Sequence, residues 1–449
     1  MTNSLDLLDD LITKALKAGA DAADAVALEG VSRSAGWRDG QLEEMEGSEG
    51  EDIGLRVIFG HKAAIASSSE RSPDALDRLV DRTVTMARNV PEDPYVGLAP
   101  EEALELDPID PIAAELDLWD ERRTSAEDLL ALARQADEAA RDVNGVTNSE
   151  GGSATAGENT VSMMTSHGFA NRFRGSSFSI GCSALAGGGT DMQRDFDFTT
   201  ARHFEDLDAA EQVGRTAGER AVARLNATRM TSGPRPVLFD PRVSRSLVGH
   251  FAGAINGNAV ARGASFLKSR MGERLFPSGV DIIDDPKMRR GSGSRLFDGE
   301  GVRVTRQRLV ADGTLKSWML NSTTARQLNL PVTGHASRGA GSAPGISPSN
   351  LYLAAGDTTP ADLMADVKDG LYVTELIGMG VNTVTGDYSR GAAGFRIEDG
   401  EIAEPVHEIT IAGNLLDMFA RLQVANDLVF KHGVNAPTVR IDDLMIAGA

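Results

Sequence analysis

The earliest periodic signal in the chain is helical. Leu5, Leu8, Leu11, Ile12 and Ala15 recur at three- and four-residue intervals, which predicts an amphipathic helix over 5–18. The rhythm then changes to alternation. "VSRSAGWRDGQLEEME" and "DIGLRVIFGHKAAIASSS" are short alternating runs broken by glycine turns, the pattern of an antiparallel meander. Ser72-Pro73 supplies an N-cap and a first-turn proline for a helix to about Arg88. "VPEDPYVGLAPEEALELDPIDP" carries five prolines and many acids and reads as an extended surface connection. Ser125, with Asp128 three residues on, opens another helix through a near capping box. Over 146–202 alternation returns among many glycines, serines and threonines, predicting several antiparallel strands, "RFRGSSFSIGCSAL" among them. A helix over about 208–225 closes this half.

"NATRMTSGPRP" is the best boundary, dividing the chain into domains over 1–230 and 231–449. After it come a short strand "PVLFD" and a helix capped by Asp240-Pro241, with Val243, Leu247, Phe251 and Ala254 on one face. "VDIIDDP" and a hairpin around Asp312-Gly313 follow. The glycine- and serine-rich stretch 334–347 reads as a mobile loop. Thr359-Pro360 starts a helix expected to stop at Gly370, then come glycine-punctuated strands, a helix over about 415–426 and a last strand "TVRIDDLMIAG". The expected fold class is α+β: two domains of mainly antiparallel β-sheets flanked by helices.

Composition narrows the function. A 449-residue chain that is 41% hydrophobic and 25% charged has the makeup of a globular protein, and its net charge of −21 argues against direct contact with nucleic acid or an anionic membrane. No apolar run reaches the roughly 18 residues of a membrane span, and the first residues carry acids where a signal peptide has bases, so a cytoplasmic location is expected. Cys182 is the only cysteine, which removes internal disulfides and multi-cysteine metal sites; in its alternating run it reads as a small buried hydrophobe.

Candidate chemistry is sparse. "HEITIAGN" begins like half of a zinc-protease motif, but the position four residues after His407 is Ile411. Asp399-Gly400 marks a hairpin just before it, so His407 is expected on a strand, siding with Ile409 and Ile411 while Glu408 sides with Val406 and Thr410. The seven histidines, His61, His167, His203, His250, His335, His407 and His432, never fall two to a helical turn. His250 projects near the apolar face of its helix and reads as a core or interface residue. "GMGVNTVTG" lacks the ending of a P-loop, and its glycines are read as turn geometry; "EEMEGSEGED" is read as a solvated turn. The segment "NTVTGDYSRGAAGF" concentrates amide, hydroxyl, carboxylate and guanidinium groups in Asn382, Thr385, Asp387, Ser389 and Arg390. These can cap the loop's own backbone or bind the main chain of a peptide substrate.

That segment with its continuation "RIEDGEIAEPVHEITIAGNLLDMF", the ending "PTVRIDDLMIAG", and the earlier "ARGASFLKSRMGERL" and "DIGLRVIFGHKAAIASSS" resembles the PmbA/TldE branch of the TldD/PmbA family over nearly the whole chain. The resemblance implies a cytoplasmic two-subunit metallopeptidase acting in proteolysis and maturation of unfolded peptides. In the TldD branch a helix bears His-Glu-x-x-x-His and a C-terminal cysteine completes the zinc site. Counted back from "RGASFLKSRMGE", that motif falls on Val248, Gly249 and Gly253, and "FKHGVNAPTVRIDD" holds no cysteine. The resemblance therefore implies no catalytic residue, metal ligand or cofactor in this chain, with zinc on a TldD-type paralogue that forms a heterodimer with it; the isolated chain is expected to form a homodimer. Two alternatives stay open: a stand-alone hydrolase with an unrecognised site, and a protein-binding modulator of DNA gyrase, after an older family label.

Overall fold

The computed structural model describes residues 4–448. The first half is organised by strands far longer than the alternating runs predict. Ala22–Arg38, Gln41–Phe59, Val146–Thr165 and Ala170–Ala186 run 17, 19, 20 and 17 residues, and with Lys62–Ser68 and Gln193–Ala201 they form one antiparallel six-stranded sheet. Apolar alternation marks only the strand ends, where helices cover the sheet. Ser4–Lys17 and Pro73–Asn89 pack on one end through Leu8, Leu11, Leu55 and Leu79. Ala126–Arg141 and Ala210–Ala223 pack on the other through Leu129, Ala133, Ile180, Val213 and the buried Cys182. Between the ends the sheet is wet, and the acid-rich stretch 43–52, read as a turn, is instead exposed strand paired along Ala22–Arg38. Acids along this thinly covered edge discourage pairing with other chains.

The caps form as local chemistry dictates. Ser72 accepts from the Ala75 N–H, and Ser125 and Asp128 make a reciprocal capping box at 3.1 and 3.0 Å. Asp312-Gly313 and Asp399-Gly400 both turn with positive φ at each residue.

In the second half, Gly233–Phe239, Asp369–Ile377, Asp387–Glu398, Glu401–Asn414 and Val439–Ala447 close into a ring, because Glu401–Asn414 pairs with Val439–Ala447 as well as with its hairpin partner. Its one parallel pairing joins Gly233–Phe239 to Asp369–Ile377. The helix Pro241–Ala254 lies against this ring, with Val243, Leu247, Phe251 and Ala254 all buried. Two helices are shorter than predicted: Pro360–Met364 ends before Gly370, which the strand Asp369–Ile377 claims, and Leu415–Ala420 gives way to the short strand Gln423–Val424.

Two segments read as surface features join the halves. The proline-rich stretch 90–111 is mostly irregular, interrupted by a 3-10 turn at Glu101–Ala103 and running into the unpredicted helix Asp110–Leu116. Its Ala99, Leu104 and Ile109 are buried against Phe169, Phe297 and Val302, while Glu105 N–H donates to Gly301 O at 2.9 Å. The prolines keep most of the segment out of regular structure while its apolar residues take up core positions. The stretch 334–347, expected to be mobile, is instead a docked finger. It contains the two-stranded pair Ala336–Ser337 and Gly345–Ile346. Its tip lies so close to the first sheet that a Cβ on Gly54 would stand 2.0 Å from Ala340 O. Its Arg338 side chain, 3% exposed, pairs with Asp24, which also accepts from Arg56 Nε at 2.7 Å. Burial opposes ionisation of Asp24, but Arg338 and Arg56 outweigh it and hold the carboxyl below its usual range. Glycine here serves close approach rather than motion.

Candidate functional site

The helix Pro241–Ala254 begins where Asp240 accepts from Arg242 N–H at 2.9 Å, with Pro241 at the first helical position. One face carries the buried residues already named. The opposite face presents Arg242, Arg245 and Gly249 to a cleft between the halves, with Gly253 exposed one turn further on. Across the cleft stands the edge strand Gln193–Ala201, and its floor comes from Thr374, Glu375 and Leu376 with Arg390 from the next strand. The cavity measures about 430 Å³, and a second of about 360 Å³ shares Phe196, Arg242 and Arg245 with it.

The five loop residues singled out from sequence divide into two groups. Asn382 Oδ1 accepts from the Val384 and Thr385 N–H groups at 2.9 and 3.3 Å, and Thr385 Oγ1 donates to Asp387 Oδ2 at 2.6 Å. Asn414 Nδ2 reaches Asp387 Oδ1 at 3.2 Å, and these bonds, Thr385's first, hold the Asp387 carboxyl below its usual range. All three side chains thus shape the loop. Ser389 is exposed, and its N–H donates to Gly380 O at 2.7 Å. A Cβ on Gly380 would lie 1.7 Å from Ser389 O, so this glycine answers to close approach, whereas Gly378 and Gly386 turn with positive φ. Arg390 differs from the rest: its Nε donates to Ile377 O at 3.3 Å and its side chain lines the cleft.

Behind Arg390 lies a small polar cluster. The His250 ring faces the Tyr388 ring at 6.1 Å and 75°, and both His250 Nε2 and the Tyr388 hydroxyl are buried with no hydrogen-bond partner among the described residues. Burial, and after it the Arg390 charge, lowers the His250 pKa, so the ring is neutral near pH 7. Sequence reasoning identified Arg390 but missed Arg194, Arg224, Arg242 and Arg245, which come from three separate elements and leave no motif.

A zinc centre of the kind the resemblance brings to mind does not fit these residues. Val248 is buried in an apolar pocket with Phe251, Phe276 and Phe419, and Gly249 and Gly253 present no side chain at all. A Cβ built on either glycine would meet nothing within 4 Å, so room exists there but no donor atom. Among the described residues no three His, Cys, Asp or Glu side chains are grouped to hold a metal. His407 lies on the strand Glu401–Asn414, as read, but its predicted facing is corrected. Glu408 has φ +52° and the pairing register shifts between Ala392 and Gly394, so this bulge buries Val406 on the same side as Ile409 and Ile411. His407 is half-buried and Glu408 exposed, paired with Arg229.

Comparison with known proteins gives consistent matches. Models described as PmbA/TldA metallopeptidase domain 1, central domain and C-terminal domain match residues 23–87, 119–225 and 232–448. The metalloprotease PmbA of Escherichia coli O157:H7 is 34% identical over 98% of this chain and 96% of its own length. A PmbA homologue of Haemophilus influenzae is 33% identical over 97% and 94%. A Bacteroides thetaiotaomicron structure whose name links it to modulation of DNA gyrase superposes with TM-score 0.91 at 22% identity, covering all of both chains. TldE from Thermococcus kodakarensis superposes with TM-score 0.85 at 19% identity, covering 98% of this chain and 100% of that one. These likenesses establish the fold, and the sequence matches establish descent: the chain belongs to the PmbA/TldA metallopeptidase family.

Proposed function

We propose that this chain is the metal-free subunit of a cytoplasmic two-subunit metallopeptidase, pairing with a zinc-bearing TldD-type paralogue and helping to form a chamber for unfolded peptides. The observation that carries this reading is the helix Pro241–Ala254, where Val248, Gly249 and Gly253 stand at the three motif positions. A catalytic zinc takes three protein ligands, and this helix offers none of the expected donors. Exposed apolar residues beside the cleft support a partner: Ile377 is 56%, Met379 93% and Val384 53% exposed on one loop. In this reading Asn382, Thr385 and Asp387 hold the loop in shape, Ser389 lies exposed beside it, and Arg390 faces the substrate. A self-paired dimer of the isolated chain is compatible with the role, because the same surface would serve both partners.

Metal analysis of the purified chain, followed by cleavage of an unstructured peptide with and without the paralogue, tests the proposal. The expected result is far less than one zinc per chain and cleavage only in the mixture. Stoichiometric zinc together with chelator-sensitive cleavage by the chain alone would overturn it.

A further inference from the structure

The cleft beside the helix Pro241–Ala254 has an anomalous charge. In a chain of net charge −21, Arg194, Arg224, Arg242, Arg245 and Arg390 line one cavity together with only two acids. Both acids are already engaged. Asp195 pairs with Arg242 at 2.8 Å and with Arg224 at 3.5 Å, and Glu375 also pairs with Arg224. Arg194 turns to Glu150 at 3.1 Å. Arg245 and Arg390 are left with no ion pair among the described residues. Each gives its Nε to a main-chain carbonyl, Arg242 O at 3.1 Å and Ile377 O at 3.3 Å. Burial without a carboxylate lowers the Arg245 pKa, the mark of a desolvated cation lacking its counter-charge.

A second observation points the same way. Thr374 is 8% exposed and lines the cleft, and its Oγ1 is buried without a partner. A buried hydroxyl left unpaired costs stability unless something meets it. Gly249 leaves the opposite wall bare, with open space where a side chain would stand. Strand addition is obstructed at the edge residue Phe196, whose N–H is taken by Asp195 Oδ1 at 2.8 Å and whose carbonyl accepts from Arg220 Nη1 at 3.2 Å. Recognition here therefore works through charge.

We infer that this cleft is a carboxylate-binding site for the free C-terminus of an extended peptide, held by the guanidinium groups of Arg245 and Arg390 with the Thr374 hydroxyl as a further donor. Two guanidinium forks and a hydroxyl match a planar carboxylate. The neighbouring cavity, which shares Arg245 and is lined by Phe196, Phe198 and Val429, offers apolar surface to the side chains that precede the terminus. The peptide character of the ligand rests on the proposed function; the anion site rests on the cleft alone.

The test compares binding of a labelled, unstructured neutral peptide and its C-terminal amide to the full chain by fluorescence anisotropy. The free acid is expected to bind about tenfold or more tighter than the amide, the gap closing in Arg245→Gln and Arg390→Gln. Arg78→Gln, at a site 67% exposed, should keep the gap, and Thr374→Val should narrow it. Equal binding of acid and amide by the unaltered chain overturns the inference whether or not the variants fold. So does a gap that persists in the folded double variant, or displacement of the peptide by inorganic phosphate at the peptide's own concentration. A chain that prefers the acid yet carries stoichiometric zinc overturns the subunit reading and leaves the cleft. A metal-free chain that ignores the carboxylate does the reverse.

Discussion

The stretches 334–347 and 378–386 are both rich in glycine and short polar residues, and they meet opposite fates. The first is clamped between the halves, with His335 and Ala336 at most 1% exposed and an arginine among its buried side chains. The second stands in solvent with Met379 93% exposed, held by its own Asn382 and Thr385 and by Asp387 just beyond it. Glycine content alone therefore says where backbone must bend or approach something closely, and nothing about what it approaches.

The sharpest way to break this comparison is Arg338→Ala. It strips Asp24 of one of two buried partners, and removing one member of a buried ionic group costs about 3–5 kcal/mol. Denaturant unfolding should register that loss, whereas Arg390→Ala should leave the midpoint nearly unchanged. Next comes a pair of glycine substitutions that both force a Cβ onto a carbonyl oxygen. Gly54→Ala pushes the docked finger away and should lower global stability by about 1–3 kcal/mol. Gly380→Ala should instead act locally, raising cleavage by a protease within 377–386 while the unfolding midpoint moves far less.

The loops should also answer to pH with opposite signs. Ala336 N–H donates to Asp298 Oδ2 at 3.0 Å, and burial, with Glu300 adding to it, raises the Asp298 carboxyl to about 7. Its folded pKa lies above the unfolded one, so folding takes up a proton between about 4 and 7, and this group's contribution grows as pH falls through that window. Asp387 is shifted the other way, so its contribution is present above the ordinary carboxylate value and is lost only as pH drops below it. Hydrogen exchange should find the finger's amides better protected at pH 5.5 than at 7.5 and the 378–386 amides unchanged over that range. Asp298→Asn should abolish the finger's response. The smallest effect is expected of Met379→Ser, which should leave stability within about 0.5 kcal/mol while weakening association with a TldD-type partner, measured by analytical ultracentrifugation.

What was legible in the sequence was what neighbours in sequence decide. The caps at Ser72, Ser125 and Asp240 and the turns at Asp312-Gly313 and Asp399-Gly400 each depend on a few adjacent residues, and all formed as read. The buried face of Pro241–Ala254 was readable because helical periodicity is also local. The docked finger was not, since its partners Asp24 and Gly54 lie most of a chain length away. The length of the first sheet's strands was hidden because their wet middle sections carry no apolar alternation. The bulge at Glu408 escaped notice because one residue in left-handed conformation resets the alternation that the prediction used. The cleft's arginines were invisible as a set, having no spacing in common.

The proline-rich strap and the docked finger fasten the two halves at separate points, so moving one sheet against the other has to break buried contacts at both. In the proposed two-subunit assembly, a gate that admits a polypeptide would then lie between subunits. On that proposal, a covalent tether joining finger to sheet within one chain would leave peptide cleavage by the assembly intact, while one bridging two protomers would lock the door.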